Sequence, residues 1–410
     1  MKYSWFWMTT TTLAPVLARY TLTLPPSISI GPVNADFSVP SLDQSDLAAP
    51  KLDRVNASSF DWWYFDAIAT DNPNTTVAVA FVSAGPSGSP FPLPGSEGNG
   101  TGPGIGVGNE TAALFAHVWV TYPNGSSLVK SGIASQATVS GSGDSSMGLW
   151  SGGGGWMGSE EGYEVSLEMP GVRGTISMDK ITPPHSHCSA PGQFNTSLEL
   201  GPLGWVSILP DAIASVDIDV HNGERLRFDG YGYHDKNWSN RPFAPSTKSL
   251  FRGHAHLGNY SVVWVSYVPA APPSFSPSRS HRELDMDMDM DMEMDLQADP
   301  EILSVYIARD GETVSASCAA NAVSYRAVRE ETEGGPVSGF EVVLPGARLQ
   351  VATDVEVSQV GGRYVRWSGR ARGEILGGQE EGGAVLRGFI LSFFSSLLFS
   401  SLLYLSESLE

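Results

Sequence analysis

Two segments of this chain concentrate the residue types that do chemistry. The first is Phe60-Asp61-Trp62-Trp63-Tyr64-Phe65-Asp66. In a strand, Asp61, Trp63 and Phe65 share one face, while Trp62, Tyr64 and Asp66 share the other. Adjacent tryptophans exceed what one buried face needs, and a carboxylate inside an apolar run is costly without a partner. The segment reads as a doubly buried strand with its acids at the rims, or as a pocket wall where one carboxylate meets a ligand. The second is Gly230-Tyr231-Gly232-Tyr233-His234-Asp235-Lys236-Asn237-Trp238-Ser239. Here Tyr233 and Asp235 lie on one face and His234 on the opposite one, with Lys236 beside it. So dense a mixture of Tyr, His, Asp, Lys, Asn and Trp is poor core design. It reads as a polar network pinning a domain junction, or as a catalytic or binding lining.

Other chemistry motifs are missing. The sequence holds no G-x-S-x-G elbow, P-loop, H-E-x-x-H or dinucleotide fingerprint, and Gly104, Gly106 and Gly108 have the wrong spacing for the last. His254-x-His256 in a strand would put two imidazoles on one face, as a metal site wants, but no third ligand stands out. His185-Ser-His187-Cys188 follows Pro183-Pro184 and reads as a loop whose ceiling is adventitious metal binding. The chain reads as a protein without metal, nucleotide or covalent nucleophile.

The elements that must position these residues are strands. Residues 75–83, 113–122, 163–169, 174–181, 215–220 and 225–233 are short β-branched or aromatic runs bounded by Gly, Pro or Asn. After residue 250 the pattern returns, with runs around Gly258-Asn259 and on either side of Arg309-Asp310-Gly311-Glu312, both hairpin signals. Residues 340–344, 348–357 and 363–369 follow. No amphipathic helix longer than three turns stands out. The fold class is therefore all-β, with two antiparallel barrels or sandwiches meeting near residues 240–250.

Composition sets the limits. A chain of 410 residues suggests two to three domains. It is 41% apolar and 17% charged, with 45 glycines and 28 prolines, which describes a folded, turn-rich protein. Lys and Arg number 24 against 44 Asp and Glu, a net charge of −20 with no basic cluster, which excludes nucleic acid as a partner. Two cysteines, Cys188 and Cys318, cannot build a disulfide framework, and whether they pair stays open.

The organisation follows. Residues 1–18 read as a secretory signal, with Lys2, an uncharged stretch and Val16-Leu17-Ala18 before the cleavage point. Eight N-x-Ser/Thr triplets, at Asn56, Asn74, Asn99, Asn109, Asn124, Asn195, Asn237 and Asn259, agree with a glycoprotein of the secretory pathway. Residues 19–44 form an arm, 45–245 a first β-domain with a Gly/Pro loop at 86–109, and 246–388 a second. An acid–methionine alternation within residues 272–299 reads as a solvated insertion, because acids at every second position repel along one face. Residues 389–410 form an apolar tail; a membrane anchor and a non-native end are its two readings, the second preferred.

The order and spacing of residues 61–66 (DWWYFD), 232–239 (GYHDKNWS) about 170 residues later, and 253–267 (GHAHLGNYSVVWVSY) resemble the fungal Diels-Alderases of polyketide–amino-acid pathways. These are similar to the carotenoid 1,2-hydratase (hydroxyneurosporene synthase) family. The resemblance spans roughly residues 45–380. It implies two lipocalin-like β-domains packed together and a cofactor-independent intramolecular [4+2] cycloaddition that forms a decalin or isoindolone-type ring. The implied substrate is a hydrophobic linear polyketide with a tetramic-acid or pyrrolinone head, and a contact with the polyketide synthase complex is left open. Such a reaction needs shape and a hydrogen bond to a carbonyl rather than a nucleophile. On this resemblance Asp61, Trp238 and Tyr64 are the catalytic candidates, Asp61 orienting the substrate head. Trp63, Tyr233, Asp235, Asn237 and Trp264 are the substrate-binding candidates.

Tyr233 and Asp235 also match a Tyr-x-Asp pair of the hydratase relatives, whose Asp protonates an alkene. That chemistry would need a raised Asp235 pKa, which Lys236 argues against. A polyene hydratase or isomerase and a non-enzymatic lipocalin-like carrier remain as alternatives. Asp61→Ala is expected to slow cyclisation without unfolding, Trp238→Ala to alter the diastereomer ratio more than the melting temperature, and loss of Asp235 to weaken the domain junction. The chain departs from the family in its Asp/Met insertion and in its end, where an apolar tail stands for the closing barrel strand.

Overall fold

The computed structural model describes residues 19–91, 113–189, 196–220, 224–270, 301–329, 337–359 and 364–390. The expected leader, the Asp/Met insertion, most of the Gly/Pro loop and the tail beyond residue 390 lie outside these residues. In chain order the described elements begin with β1 (Tyr20–Leu24), α1 (Gln44–Leu47), β2 (Phe60–Ala69), β3 (Thr76–Ala84), β4 (Leu114–Thr121) and β5 (Ser127–Ile133). Next come β6 (Ala137–Ser142), β7 (Ser145–Trp150), β8 (Gly154–Gly158), β9 (Gly162–Met169) and β10 (Val172–Lys180). The first half closes with β11 (His185–Ser186), β12 (Glu199–Leu200), β13 (Leu203–Val220) and β14 (Glu224–Ser239). The second half opens with α2 (Phe243–Ser246), β15 (Thr247–Leu257), β16 (Tyr260–Pro269), β17 (Ile302–Arg309) and β18 (Glu312–Ser317). It ends with β19 (Ser324–Arg329), β20 (Val337–Leu344), β21 (Ala347–Gln359), β22 (Tyr364–Ile375) and β23 (Gly378–Ile390).

These strands make two curled antiparallel sheets, as the sequence pattern predicts. The first runs β1-β6-β7-β8-β9-β10-β13-β14-β2-β3-β4-β5, with β11 and β12 added against β13. The second runs β18-β17-β16-β15-β23-β22-β21-β20-β19. The chain passes from one to the other through α2. Both predicted hairpins form. Asp310 and Gly311 each take positive φ, 50° and 84°, the pairing that a two-residue turn between twisted strands requires.

The end of the chain corrects one expectation. The closing strand that the tail was expected to replace is present as β23, which pairs with β22 on one side and β15 on the other. Phe389 and Ile390 continue that strand. Its glycines and glutamates give it little intrinsic strand preference, so its place is set by two flanking partners rather than by its own composition.

Among the described residues there are three buried apolar groups. Trp63, Phe65, Trp156 and Trp238 belong to the interior of the first sheet. Trp62, Tyr64, Trp205, Tyr233, Tyr267 and Tyr364 lie between the two sheets. Phe251, Trp264, Phe340 and Trp367 belong to the interior of the second. β2 is buried along its whole length because it is wedged between the first two groups, which is why it carries large aromatic residues on both faces. A disulfide between Cys188, just after β11, and Cys318, just after β18, ties one sheet to the other.

Candidate functional site

The two chemistry-bearing segments are neighbours in the first sheet. β2 and β14 pair antiparallel, with Asp61 opposite Trp238, Trp63 opposite Lys236, Tyr64 opposite Asp235 and Asp66 opposite Tyr233. Alternation then divides the candidate residues between the two faces of this strand pair.

One face looks into the junction between the sheets and carries Tyr64, Asp66, Tyr233, Asp235 and Asn237. Asp235 accepts from the Tyr233 hydroxyl at 2.9 Å and from Asn237 Nδ2 at 3.1 Å. Arg252 Nη1, from β15, and Arg387 Nη2, from β23, each lie 3.0 Å from its Oδ2. Arg252 Nη1 also donates to Asn237 Oδ1 at 2.9 Å. Asp66 accepts from the Tyr64 hydroxyl at 2.8 Å, and His254 Nε2 lies 2.9 Å from its other oxygen. Arg366, from β22, donates from Nε to the Tyr64 hydroxyl at 3.3 Å and from Nη1 to Thr76 Oγ1 at 2.8 Å. The Arg387 guanidinium lies 4.0 Å over the Tyr64 ring, and the His254 ring stacks on Tyr233 at 4.3 Å. Neither acid of β2 sits at a rim: Asp61 and Asp66 are 1% and 0% exposed.

Three guanidinium groups therefore face two carboxylates, all of them buried. Burial opposes ionisation of Asp66, but His254, Arg366 and Arg387 hold its carboxyl down at about 2. Burial likewise opposes the Asp235 charge, and Arg252 and Arg387 hold that carboxyl below its usual range. Burial is the largest influence on the Tyr64, Tyr233 and Tyr364 phenols and pushes all three up, so they remain donors. The donors outnumber the acceptors. Arg252 Nε, Arg366 Nη2, Arg387 Nε and Nη1, and the Tyr364 hydroxyl have no hydrogen-bond partner among the described residues. Such a set can hold negative charge on an oxygen in a low-dielectric setting, where each donor is worth more than in water.

The opposite face of the strand pair looks into the first sheet and carries Asp61, Trp63 and Trp238. Asp61 forms an ion pair with Lys236 and accepts from the Lys51 backbone N–H at 2.7 Å. The Lys236 ammonium lies 4.1 Å from the Trp63 ring centre and 5.0 Å from that of Trp238. Each indole is anchored to backbone, Trp63 to the Ala48 carbonyl and Trp238 to the Asp36 carbonyl, both at 2.8 Å. Burial pushes the Lys236 ammonium down to about 8 against the pull of Asp61. The same burial pushes Asp61 up. Asp61 is thus on the far side of β2 from Tyr64 and Asp235, with both carboxylate oxygens engaged.

Trp264 is elsewhere again. Its neighbours Val263 and Val265 face the junction, while its indole fills the second sheet's interior, close enough to Gly253 that an added Cβ would meet the ring at 2.3 Å. The sequence reading that groups Trp264 with Tyr233 and Asp235 is corrected on this point. His254 and His256 share a face, as alternation predicts, but they serve different carboxylates: His256 Nδ1 lies 2.6 Å from Asp211. An irregularity in the β13–β14 register between Ser207 and Ala212 lies at that point of β13. Asn237 is 3% exposed with both amide atoms engaged, so its sequon has no room for a glycan.

Sequence reasoning missed Arg252, Arg366 and Arg387 as site residues. The available signal was an arginine set among apolar residues in a strand, as in Val365-Arg366-Trp367 and Val385-Leu386-Arg387, a position costly for a charge without a partner.

Comparison with known proteins agrees with this architecture. The Diels-Alderase-like family model matches residues 107–274. The quinolone epoxide rearrangement protein asqO of Emericella nidulans is 32% identical over 238 residues, which is 56% of this chain and 60% of that protein. The chain thus spans less than two thirds of that relative's length. The quinolone epoxide rearrangement protein penF of Penicillium thymicola is 29% identical over 364 residues, 84% of this chain and 88% of that protein. Among solved structures, CghA with Sch210972 superposes with a TM-score of 0.63 at 14% identity, covering 92% of this chain and 99% of that one, a likeness of fold. The resemblance read from the motifs is borne out: this chain carries the Diels-Alderase-like family's pattern over residues 107–274.

Proposed function

We propose that this protein is a cofactor-independent isomerase of fungal secondary metabolism that rearranges or closes a ring within one substrate at the junction of its two sheets. The observation that carries this reading is the surplus of buried donors around Tyr64, supplied by Arg366, Arg387 and Tyr364. An intramolecular rearrangement needs no external nucleophile or electron carrier. It needs a held conformer and a counter-charge for the oxygen that gains electron density.

The substrate-level reading that fits best is opening of an epoxide. One C–O bond breaks toward oxygen, a neighbouring bond migrates to the carbon left electron-poor, and the oxygen finishes as a carbonyl with no atom gained or lost. An alkoxide-like oxygen demands more of its surroundings than a conjugated carbonyl does, and three guanidiniums against two carboxylates offer more. The two relatives, both quinolone epoxide rearrangement proteins, support this reading. A second reading, favoured by the family model, is the intramolecular [4+2] cycloaddition of a linear polyketide or polyketide–amino-acid intermediate. There the same donors would polarise the carbonyl conjugated with the dienophile. The hydratase alternative loses support, because Arg252 and Arg387 keep Asp235 ionised and unable to protonate an alkene.

The test is incubation of the full chain with a quinolone epoxide and, separately, with a linear polyenoyl tetramic acid. An isomeric product of unchanged mass from one of them, lost in Arg387→Met, is expected. Gain of water, or binding without turnover of either compound, would overturn the proposal in favour of a hydratase or a carrier.

A further inference from the structure

The cysteine pair sits in surroundings that the ring-forming chemistry does not use. We propose that His187, Cys188 and Cys318 form a binding site for a thiolate-preferring divalent cation of the Zn²⁺ class once the Cys188–Cys318 disulfide is reduced. One ligand atom from each of the three lies within 4.8 Å of the other two. His187 Nε2 is 3.3 Å from Cys188 Sγ. The same imidazole hydrogen-bonds the Leu303 backbone, the kind of partner that orients imidazole ligands in metal centres. Two thiolates and one imidazole make three ligands of a tetrahedral set and leave the fourth position to water. In sequence, residues 185–188 alone promise no more than adventitious binding. The fold adds Cys318 from 130 residues away.

Both cysteines are exposed, so a low-molecular-weight thiol can reach the bond. A thiolate attacks Cys318 Sγ, the sulfur–sulfur bond breaks, and Cys188 leaves as a thiolate beside His187. A second thiol resolves the mixed disulfide, so two reductant thiols become one disulfide as the protein gains two cysteine thiols. Metal binding then displaces the two thiol protons. Cys188 has a φ of 58°, a left-handed conformation unfavourable for a residue with a Cβ, and opening the bond frees it to relax. Because β11 pairs with the first sheet and β18 with the second, disulfide and metal would tie the same two elements. The device exchanges one cross-link for another according to redox state.

Co²⁺ is the probe. The full chain is reduced with a phosphine, desalted without oxygen, titrated with Co²⁺ and followed by thiolate-to-cobalt charge-transfer absorption, with far-ultraviolet dichroism as the check on folding. The sequence has two cysteines, so any such band belongs to this pair. One Co²⁺ per chain is expected in the reduced protein and none in the oxidised one. The band should be displaced by Zn²⁺ and lost in Cys318→Ser, and His187→Ala should weaken binding by roughly a hundredfold. A reduced, folded chain without the band overturns the proposal. So does a His187→Ala variant of unchanged affinity, or a chain that unfolds on reduction.

Discussion

Arg387 Nη2 lies 3.0 Å from Asp235 Oδ2, so the last described strand of the second sheet reaches the C-terminal part of β14 in the first. Arg252 reaches the same oxygen from β15. One carboxylate thereby joins β14, β15 and β23, and the two sheets are held in register by charge as well as by packing.

Asp235→Ala should therefore cost stability first. Removing the carboxylate leaves two buried guanidinium groups without their counter-charge, an effect of about 3–5 kcal/mol in buried pairs. The urea midpoint should fall accordingly. The double variant Asp235→Ala/Arg387→Met should lose less than the sum of its singles, since it removes both members of one pair. Additivity within about 0.5 kcal/mol would mean the two residues are not coupled.

Tyr64→Phe should act on turnover. The phenol links Asp66 to Arg366 and lies under Arg387, while the ring that packs the junction is kept. The expected loss in kcat is about 10²-fold, the scale of one misplaced oxyanion donor, because Arg366 loses the acceptor that orients it. KM should change little and the melting temperature by no more than a few degrees. An unchanged kcat would move the reacting oxygen away from this phenol.

Asp61→Ala carries a different expectation from the one its sequence context suggests. The carboxylate neutralises Lys236 inside the first sheet, so its removal strands a buried ammonium. A stability loss of about 3–5 kcal/mol is expected, with activity falling only as the folded fraction falls. Activity lost in a variant of unaltered denaturation midpoint would instead restore Asp61 as a direct substrate contact.

The contrast between these residues marks how far the sequence could be read. The density of aromatic and charged residues around Trp63 and Asp235 was legible, because so many polar groups in a strand need special surroundings. The two-residue period and the Asp310-Gly311 turn were legible for the same local reasons. Which face of β2 meets which sheet was not, because both faces are buried and alternation cannot tell one interior from another. The three arginines lie singly on β15, β22 and β23, and only the antiparallel register of those strands, with Arg252 and Arg366 both opposite Arg387, gathers them at Tyr64 and Asp235. β23 itself was hidden by its glycines and glutamates, since its pairing is a tertiary fact.

Acid should destabilise the protein well before its carboxylates titrate. Burial pushes His117 and His185 down to about 3, and His234 down to about 4, from an ordinary 6.5. Above pH 6.5 these rings are neutral in both folded and unfolded chains. Below it the unfolded chain takes up protons that the folded one refuses, so stability falls with pH until the folded values are reached. Each histidine can contribute about 3 kcal/mol to that loss by pH 4. Unfolding free energies from urea titrations at pH 7, 6, 5 and 4 should decline steadily, and His117→Gln should reduce the slope by about one proton. An unaltered slope would mean that His117 is protonated in the folded protein.

Gly204→Ala tests how closely the first sheet's interior is built around Trp238. An added Cβ at Gly204 would lie 2.0 Å from the indole, on a β13 residue directly opposite Trp238 in register. The indole has little room to retreat: its nitrogen is fixed to the Asp36 carbonyl, Phe37 stacks on it at 6.2 Å, and the Lys236 ammonium lies over it. Overpacking of this kind costs roughly 1–3 kcal/mol, so the melting temperature should drop by several degrees. Trp238→Ala should cost about 3–5 kcal/mol by emptying the same space, and therefore more in stability than in product stereochemistry. In the double variant Gly204→Ala/Trp238→Phe the smaller ring should recover part of the Gly204→Ala loss. If Gly204→Ala alone leaves the melting temperature unchanged, the indole is not held where its three anchors place it.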